Sequence, residues 1–382
     1  MFQLDEEQRL ILQSVREIVR KEIQPRAADL DQSGEFPLGV VRILAKNDIL
    51  NPLLPRACGG VEVSSSTFCM IVEEIAKACA SASLLLIGQA EGTLPIVYGA
   101  DAPLKEKYLR RLATGSEVLI GLGGVEPSAG AGIFSLPTHA ELRGSHYSLG
   151  GEKCFVKNGS VADFLVLYAY TDRSKGNLGA SAFVVEKGFP GLVFKRDEDK
   201  TGTRGTVYSE MLLENLRVPR ENLIGQEGDG FSNMLKTLSA SRVFTAAQAV
   251  GLAEGALDEA LSYARGRVQF GKTIAHHPAV QFMIAEMAAG IESARLLTYE
   301  AAFLLDQEKW EKVGTYAAMA KLVASDAAMK VTTDAVQIMG GYGYMRDYPV
   351  ERMMRDAKAT QIYAGTNQIM KLIIGRNLAG IS

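Results

Sequence analysis

The chain has 382 residues, 22% of them charged and 47% apolar, with a formal net charge of -3 and a pI near 6.0. That length exceeds what one hydrophobic core normally spans, so more than one domain is expected. The charge balance marks the chain for neither nucleic acid nor an anionic membrane surface.

The first third reads as helical. Leu4, Ile11 and Val15 share one helical face, as do Val19 and Ile23. Phe36-Pro37 and Asn51-Pro52 punctuate the chain. Apolar helices are predicted over residues 67–80 and 81–98. The second holds a single charge, Glu91, and Pro95 is expected to bend or restart it.

The middle changes period. Residues 164–170, 181–185, 191–194 and 211–213 are short runs rich in strand formers, separated by turn signals at Gly150-Gly151, Asn158-Gly159 and Phe189-Pro190. Such spacing predicts a small β-barrel or sandwich. The last third returns to helical spacing at Phe231, Leu235 and Leu238, and again at Leu257, Leu261 and Ala264. Alanine is dense over residues 246–328, which favours long, closely packed helices and a four-helix bundle. The fold class is therefore α+β and multi-domain. Residues 1–118 form an N-terminal helical domain, 119–225 a β-barrel-like middle domain and 226–382 a C-terminal four-helix bundle.

Cys58, Cys69, Cys79 and Cys154 form no C-x-x-C pair, and His139, His146, His276 and His277 do not fall at zinc-ligand spacings beside them. Neither a metal site nor a disulfide framework is expected. The first residues are acidic and polar, unlike a signal peptide, and no run approaches about 18 uninterrupted apolar residues. A cytoplasmic protein without a membrane span is the default expectation.

Seven short motifs then occur in order. They are Glu126-Pro127-Ser128-Ala129-Gly130, residues 153–159 (KCFVKNG), 202–206 (GTRGT), 267–271 (RVQFG), 337–343 (QIMGGYG), 355–358 (RDAK) and 362–366 (IYAGT). Together they resemble the signatures of the acyl-CoA dehydrogenase family from one end of the chain to the other. The resemblance implies an FAD cofactor, an acyl-CoA substrate, a homotetramer and electron-transferring flavoprotein as the acceptor. It places Val125, Phe155 and Lys157 at the flavin. Arg267, Gln269 and Phe270 would reach the FAD of a neighbouring subunit, where a guanidinium can fork onto phosphate. Gln337, Gly340 and Gly341 would approach the adenosine half, and Thr366 and Gln368 would add polar contacts. Arg242, Tyr363, Ala364 and Gly365 fall at the substrate. The backbone N–H of Ala364 would donate to the thioester carbonyl. His276-His277 reads as structural.

Five positions depart from the family pattern: Val125, Ala131, Gly132, Lys157 and Pro278. A further departure concerns the base. Most members carry the proton-abstracting glutamate where this chain has Ala364, and others carry it where this chain has Ser241. Neither side chain can abstract a proton at neutral pH. Glu91 is the obvious relocated base, because the equivalent helix of the family lines the acyl pocket. The pattern resembles the branch acting on cyclohex-1-ene-1-carboxyl-CoA, in which a 1,4-elimination replaces the ordinary reaction. Two alternatives stand beside it: an ordinary dehydrogenase engineered or diverged at Ala364, and a base-less FAD- or CoA-binding paralogue.

Overall fold

The computed structural model describes residues 4–115, 117–130 and 137–381. Ala131 and Gly132 lie outside them.

Six helices open the chain: α1 (Glu6–Ile18), α2 (Ala27–Ser33), α3 (Leu38–Lys46), α4 (Ser65–Ala78), α5 (Ala80–Gly99) and α6 (Ala102–Thr114). Asp5 starts α1 with a capping box to Gln8. Helix α5 is buried continuously from Ala80 to Ile96, as expected of a helix apolar all round. It is the one described helix long and apolar enough to cross a membrane, and 94% of its apolar window is buried inside the protein. The expected restart at Pro95 does not occur, because α5 runs through it. Proline removes the N–H that would meet the Glu91 carbonyl. Packing on every side holds the helix together there, and the Pro95 carbonyl itself accepts a hydrogen bond from Asn233 at 2.8 Å.

The middle of the chain is one sheet of β1 (Ile120–Gly123), β2 (His139–Arg143), β3 (His146–Lys157), β4 (Phe164–Tyr170), β5 (Ala180–Glu186), β6 (Leu192–Asp197), β7 (Tyr208–Pro219) and β8 (Leu223–Ile224). The strand order is β6-β7-β3-β1-β4-β5-β8, with β2 pairing β3 and β4. Strands β1 and β4 run parallel, whereas β3–β7, β4–β5 and β6–β7 are antiparallel. Alternation sorts β4 between two cores. Phe164, Val166 and Tyr168 pack with α5 and α6 residues such as Ile96 and Tyr108. Leu165, Leu167 and Ala169 pack with Phe183, Met211 and Leu213. Gly150-Gly151 is not a turn. It lies inside β3, at a register shift between Leu149 and Gly151. Gly151 has φ +146° there, and a Cβ would fall 2.5 Å from the Thr138 hydroxyl, so the pair marks a bulge.

The C-terminal part comprises α7 (Gly230–Gly266), the hairpin β9 (Val268–Gln269) and β10 (Lys272–Thr273), α8 (Pro278–Asp306), α9 (Trp310–Met339), α10 (Pro349–Thr360) and α11 (Asn367–Ala379). Small residues let α7 meet α4 backbone to backbone. A Cβ on Gly251 would fall 2.1 Å from the Glu73 carbonyl oxygen. One turn on, a Cβ on Gly255 would fall 2.2 Å from that of Lys77. Arg355 joins α10 to Asp31 at 2.6 Å and to the Thr201 carbonyl at 2.9 Å. Asp356 beside it is fully buried and accepts from the Thr203 N–H at 2.5 Å.

Burial pushes the Asp356 carboxyl up to about 7, against the Thr203 N–H and Arg352, which favour its anion. The folded value exceeds the unfolded one, so the folded state holds this proton more tightly. The resulting stabilisation is fully present below about pH 4 and is lost as pH rises through about 7. Asp356→Asn keeps the acceptor and carries no charge. It should flatten the decline of melting temperature across that window, and calorimetry showing an unchanged slope contradicts the assignment.

Candidate active site

Glu91 owes its position to glycines. A Cβ on Gly92 would fall 2.7 Å from the Ile120 side chain, and one on Gly88 3.0 Å from Asn158. This glycine face seats α5 on β1 and on the turn after β3, where Asn158 has φ +57°. The Glu91 carboxylate, 5% exposed, then meets the end of β3. Lys157 donates to both of its oxygens, at 2.7 and 2.8 Å. Ser241 on α7 donates a third hydrogen bond to Oε1. The resemblance set Lys157 beside the flavin, but its ammonium is turned onto Glu91. Glu91 is thus buried and ion-paired.

The ammonium of Lys157 also lies 4.7 Å from the centroid of the Tyr363 ring. Tyr363 donates its hydroxyl to Gln248, whose amide donates to Ala80 and Ser83 on α5 at 2.9 Å each. Burial pushes the Tyr363 phenol up, with the Glu91 charge nearby adding to the effect. The next two residues form a left-handed turn, Ala364 at φ +54° and Gly365 at φ +96°. The Nε of Arg242 holds the Ala364 carbonyl at 3.2 Å, and Lys321 on α9 holds the Gly365 carbonyl at 2.8 Å. Both cations are buried. Burial brings Arg242 down to about 10, while burial and the charge of Arg242 bring Lys321 down to about 7. Sequence reasoning missed Lys321 and Gln248, because no local pattern reveals a partner so far away along the chain.

Phe155 lies two residues before Lys157, at a second register shift in β3. It has φ +52°, rare for a bulky residue, and its ring is 56% exposed although Cys154 and Val156 are buried. The Cys154 N–H bonds the Val125 carbonyl at 3.0 Å, so Val125 borders the same surface. Beneath it, Lys153 and Glu126 form a buried ion pair at 2.5 Å. The Lys153 ammonium also meets the Tyr168 carbonyl at 2.7 Å, and Glu126 accepts from the Thr138 N–H at 3.1 Å.

A second group gathers around the β9–β10 hairpin. Arg267 lies 5.8 Å from the Tyr342 ring, which brings the 267–271 motif against the 337–343 motif. Phe270 is 93% exposed and meets His277 edge-on. His277 contacts the Gln269 carbonyl and His276 the Thr273 hydroxyl, in keeping with a structural role. Gln337, Gly340, Gly341 and Gln368 are exposed, and a Cβ on either glycine would meet open space. Thr366 caps α11 through the Ile369 N–H. An outward aromatic ring beside open backbone, together with an exposed guanidinium at an open glycine turn, is a donor set that fits a flavin and its pyrophosphate.

Residues 5–116, 121–216 and 228–379 match the N-terminal, middle and C-terminal domains of acyl-CoA dehydrogenases. A cyclohex-1-ene-1-carbonyl-CoA dehydrogenase of Geobacter metallireducens is 54% identical over 99% of each chain. One of Syntrophus aciditrophicus is 50% identical, over 99% of this chain and 91% of its own. The solved butyryl-CoA dehydrogenase of Megasphaera elsdenii superposes with a TM-score of 0.95 at 37% identity, covering 99% of this chain and 100% of that one. The chain therefore belongs to the acyl-CoA dehydrogenase family, FAD-dependent oxidoreductases of acyl-CoA thioesters.

Proposed function

We propose that the chain oxidises a cyclic 1-ene thioester of the cyclohex-1-ene-1-carbonyl-CoA type by 1,4-elimination, with Glu91 as the base. One observation carries this reading. The two positions where the family places its base hold Ala364 and Ser241, and Ser241 donates to the buried carboxylate of Glu91. The relatives named for this substrate at 54% and 50% identity support it.

In a conjugated 1-ene thioester the acidity of the ring extends to the γ-carbon. Glu91 takes a proton from that carbon: the C–H bond breaks, an O–H bond forms, and the electron pair moves toward the thioester. A second hydrogen leaves the ring with its electrons, so the ring loses two hydrogens and gains one double bond. Bound FAD supplies the acceptor for that hydride. Ser241 and Lys157 hold the carboxylate in place before the transfer. The Ala364 N–H donates to the thioester carbonyl, and Arg242 and Lys321 fix the turn that presents it by holding the carbonyls of Ala364 and Gly365. Electron-transferring flavoprotein as the final acceptor and a homotetrameric assembly belong to the same proposal. The exposed rings of Phe270 and Phe282 support the assembly, as apolar surface that a neighbouring subunit would cover.

The test is anaerobic. FAD-loaded protein is mixed separately with cyclohex-1-ene-1-carbonyl-CoA, its saturated cyclic analogue and a short linear acyl-CoA, and flavin absorbance is followed. Bleaching confined to the cyclic 1-ene is expected. Bleaching by the linear thioester alone points to an ordinary dehydrogenase, and no bleaching by any of them to a non-catalytic paralogue.

A further inference from the structure

We infer that Lys157 is the positioning residue of the relocated base, holding the Glu91 carboxylate aimed before proton transfer and holding the cation in place after it. The inference rests on Glu91 being the base. It goes beyond that reading by assigning the family's flavin-side position to a different task.

The groups facing Glu91 come from four segments. Lys157 on β3 contributes the ammonium at 2.7 and 2.8 Å. Ser241 on α7 contributes a hydroxyl. Burial raises the phenols of Tyr208 on β7 and Tyr363 after α10, and the Glu91 charge near both adds to the effect. Lys157 is thus the one cation at the carboxylate among these groups. Its ammonium meets both oxygens, and the Ser241 hydroxyl adds a third point of attachment that limits rotation of the carboxylate.

Proton transfer reverses the electrostatics. Before it, Glu91 carries the negative charge that balances Lys157. During it, the carbon–hydrogen bond breaks, the proton bonds to Glu91 and the electron pair stays with the substrate. The carboxyl becomes neutral just as negative charge develops on the substrate, and the Lys157 cation is left to face that charge. Tyr363 then keeps the ammonium in place, since its ring lies 4.7 Å away and attracts a cation whatever the state of Glu91. The lysine and the relocated carboxylate therefore form one unit.

Two measurements test this on Lys157→Met, Lys157→Arg, Glu91→Gln and the double variant Lys157→Met/Glu91→Gln. The first is kcat and KM with cyclohex-1-ene-1-carbonyl-CoA on FAD-loaded enzyme. In Lys157→Met kcat should fall by about 10²-fold with KM little changed, the cost of a misaimed base. In Lys157→Arg kcat should stay near that of the parent. The second is thermal unfolding of the FAD-loaded proteins. Lys157→Met should melt lower than the parent, and adding Glu91→Gln should recover most of the loss. If Lys157→Met does not fold, folding of the double variant is the supporting result, and failure of both overturns the pairing. An unchanged kcat in Lys157→Met, with Glu91→Gln inactive, overturns the inference and leaves the base assignment standing. Full activity in Glu91→Gln overturns the base assignment itself, and the unfolding cycle still reports whether the pair exists.

Discussion

Glu91→Gln should lower kcat by about 10²–10⁴-fold, the usual contribution of a positioned general base, while the flavin stays bound. Glutamine matches glutamate in shape, and its carbonyl can still accept from Ser241 and one hydrogen of Lys157. The proton-accepting function is lost, and the pocket is not. The control is therefore the flavin spectrum and stoichiometry, which should match those of the parent. A variant that keeps more than about a tenth of parental turnover sinks the assignment, because no general base contributes so little. Neither Ala364 nor Ser241 can take over. Alanine has no ionisable group, and an unactivated serine hydroxyl is far too weak a base at neutral pH.

Lys153→Met should cost about 3–5 kcal/mol, because it strands the Glu126 carboxylate in the interior. Glu126 is 1% exposed, and its remaining partner in the pair is the Thr138 N–H. The loss extends to the cofactor side. Lys153 and Glu126 bind the strand that carries Phe155 to the segment that carries Val125, so FAD affinity should fall as well. Adding Glu126→Gln removes the stranded charge and keeps an acceptor for Thr138. The double variant should regain most of the stability, since replacing both partners of a buried pair is far less costly than removing one. Chemical denaturation of the four proteins checks this. A double variant as unstable as Lys153→Met shows that the charge was not the cause.

Legibility in the sequence followed the locality of each signal. Strand β4 was readable because all of Phe164–Tyr170 is apolar and buried on both faces. Strands β2 and β3 were missed: His139–Arg143 is largely exposed and polar, and the glycines of β3 mimic a turn where the structure has a bulge. Pro95 misled in the same way, since a local rule against proline in helices gave way to a helix packed on every side. In the site, Glu91 could be picked out as the lone charge in an apolar helix. That Lys157 and Ser241 meet it could not, because they come from a strand and a helix far along the chain. The motif residues supplied the surface proposed for the flavin, and only folding joined the Arg267 segment to the turn that carries Tyr342.

The short distances around Glu91 bear on how this enzyme arose. Ser241 touches the Glu91 carboxylate, and the Lys157 that balances it rests against Tyr363, the neighbour of Ala364. Ala364, Ser241 and the carboxylate proposed as base are thus joined through a few direct contacts, however distant in the gene. On the proposed reading, moving one acid among these positions needs only point substitutions and no rebuilding of the backbone, and the same route is open to design.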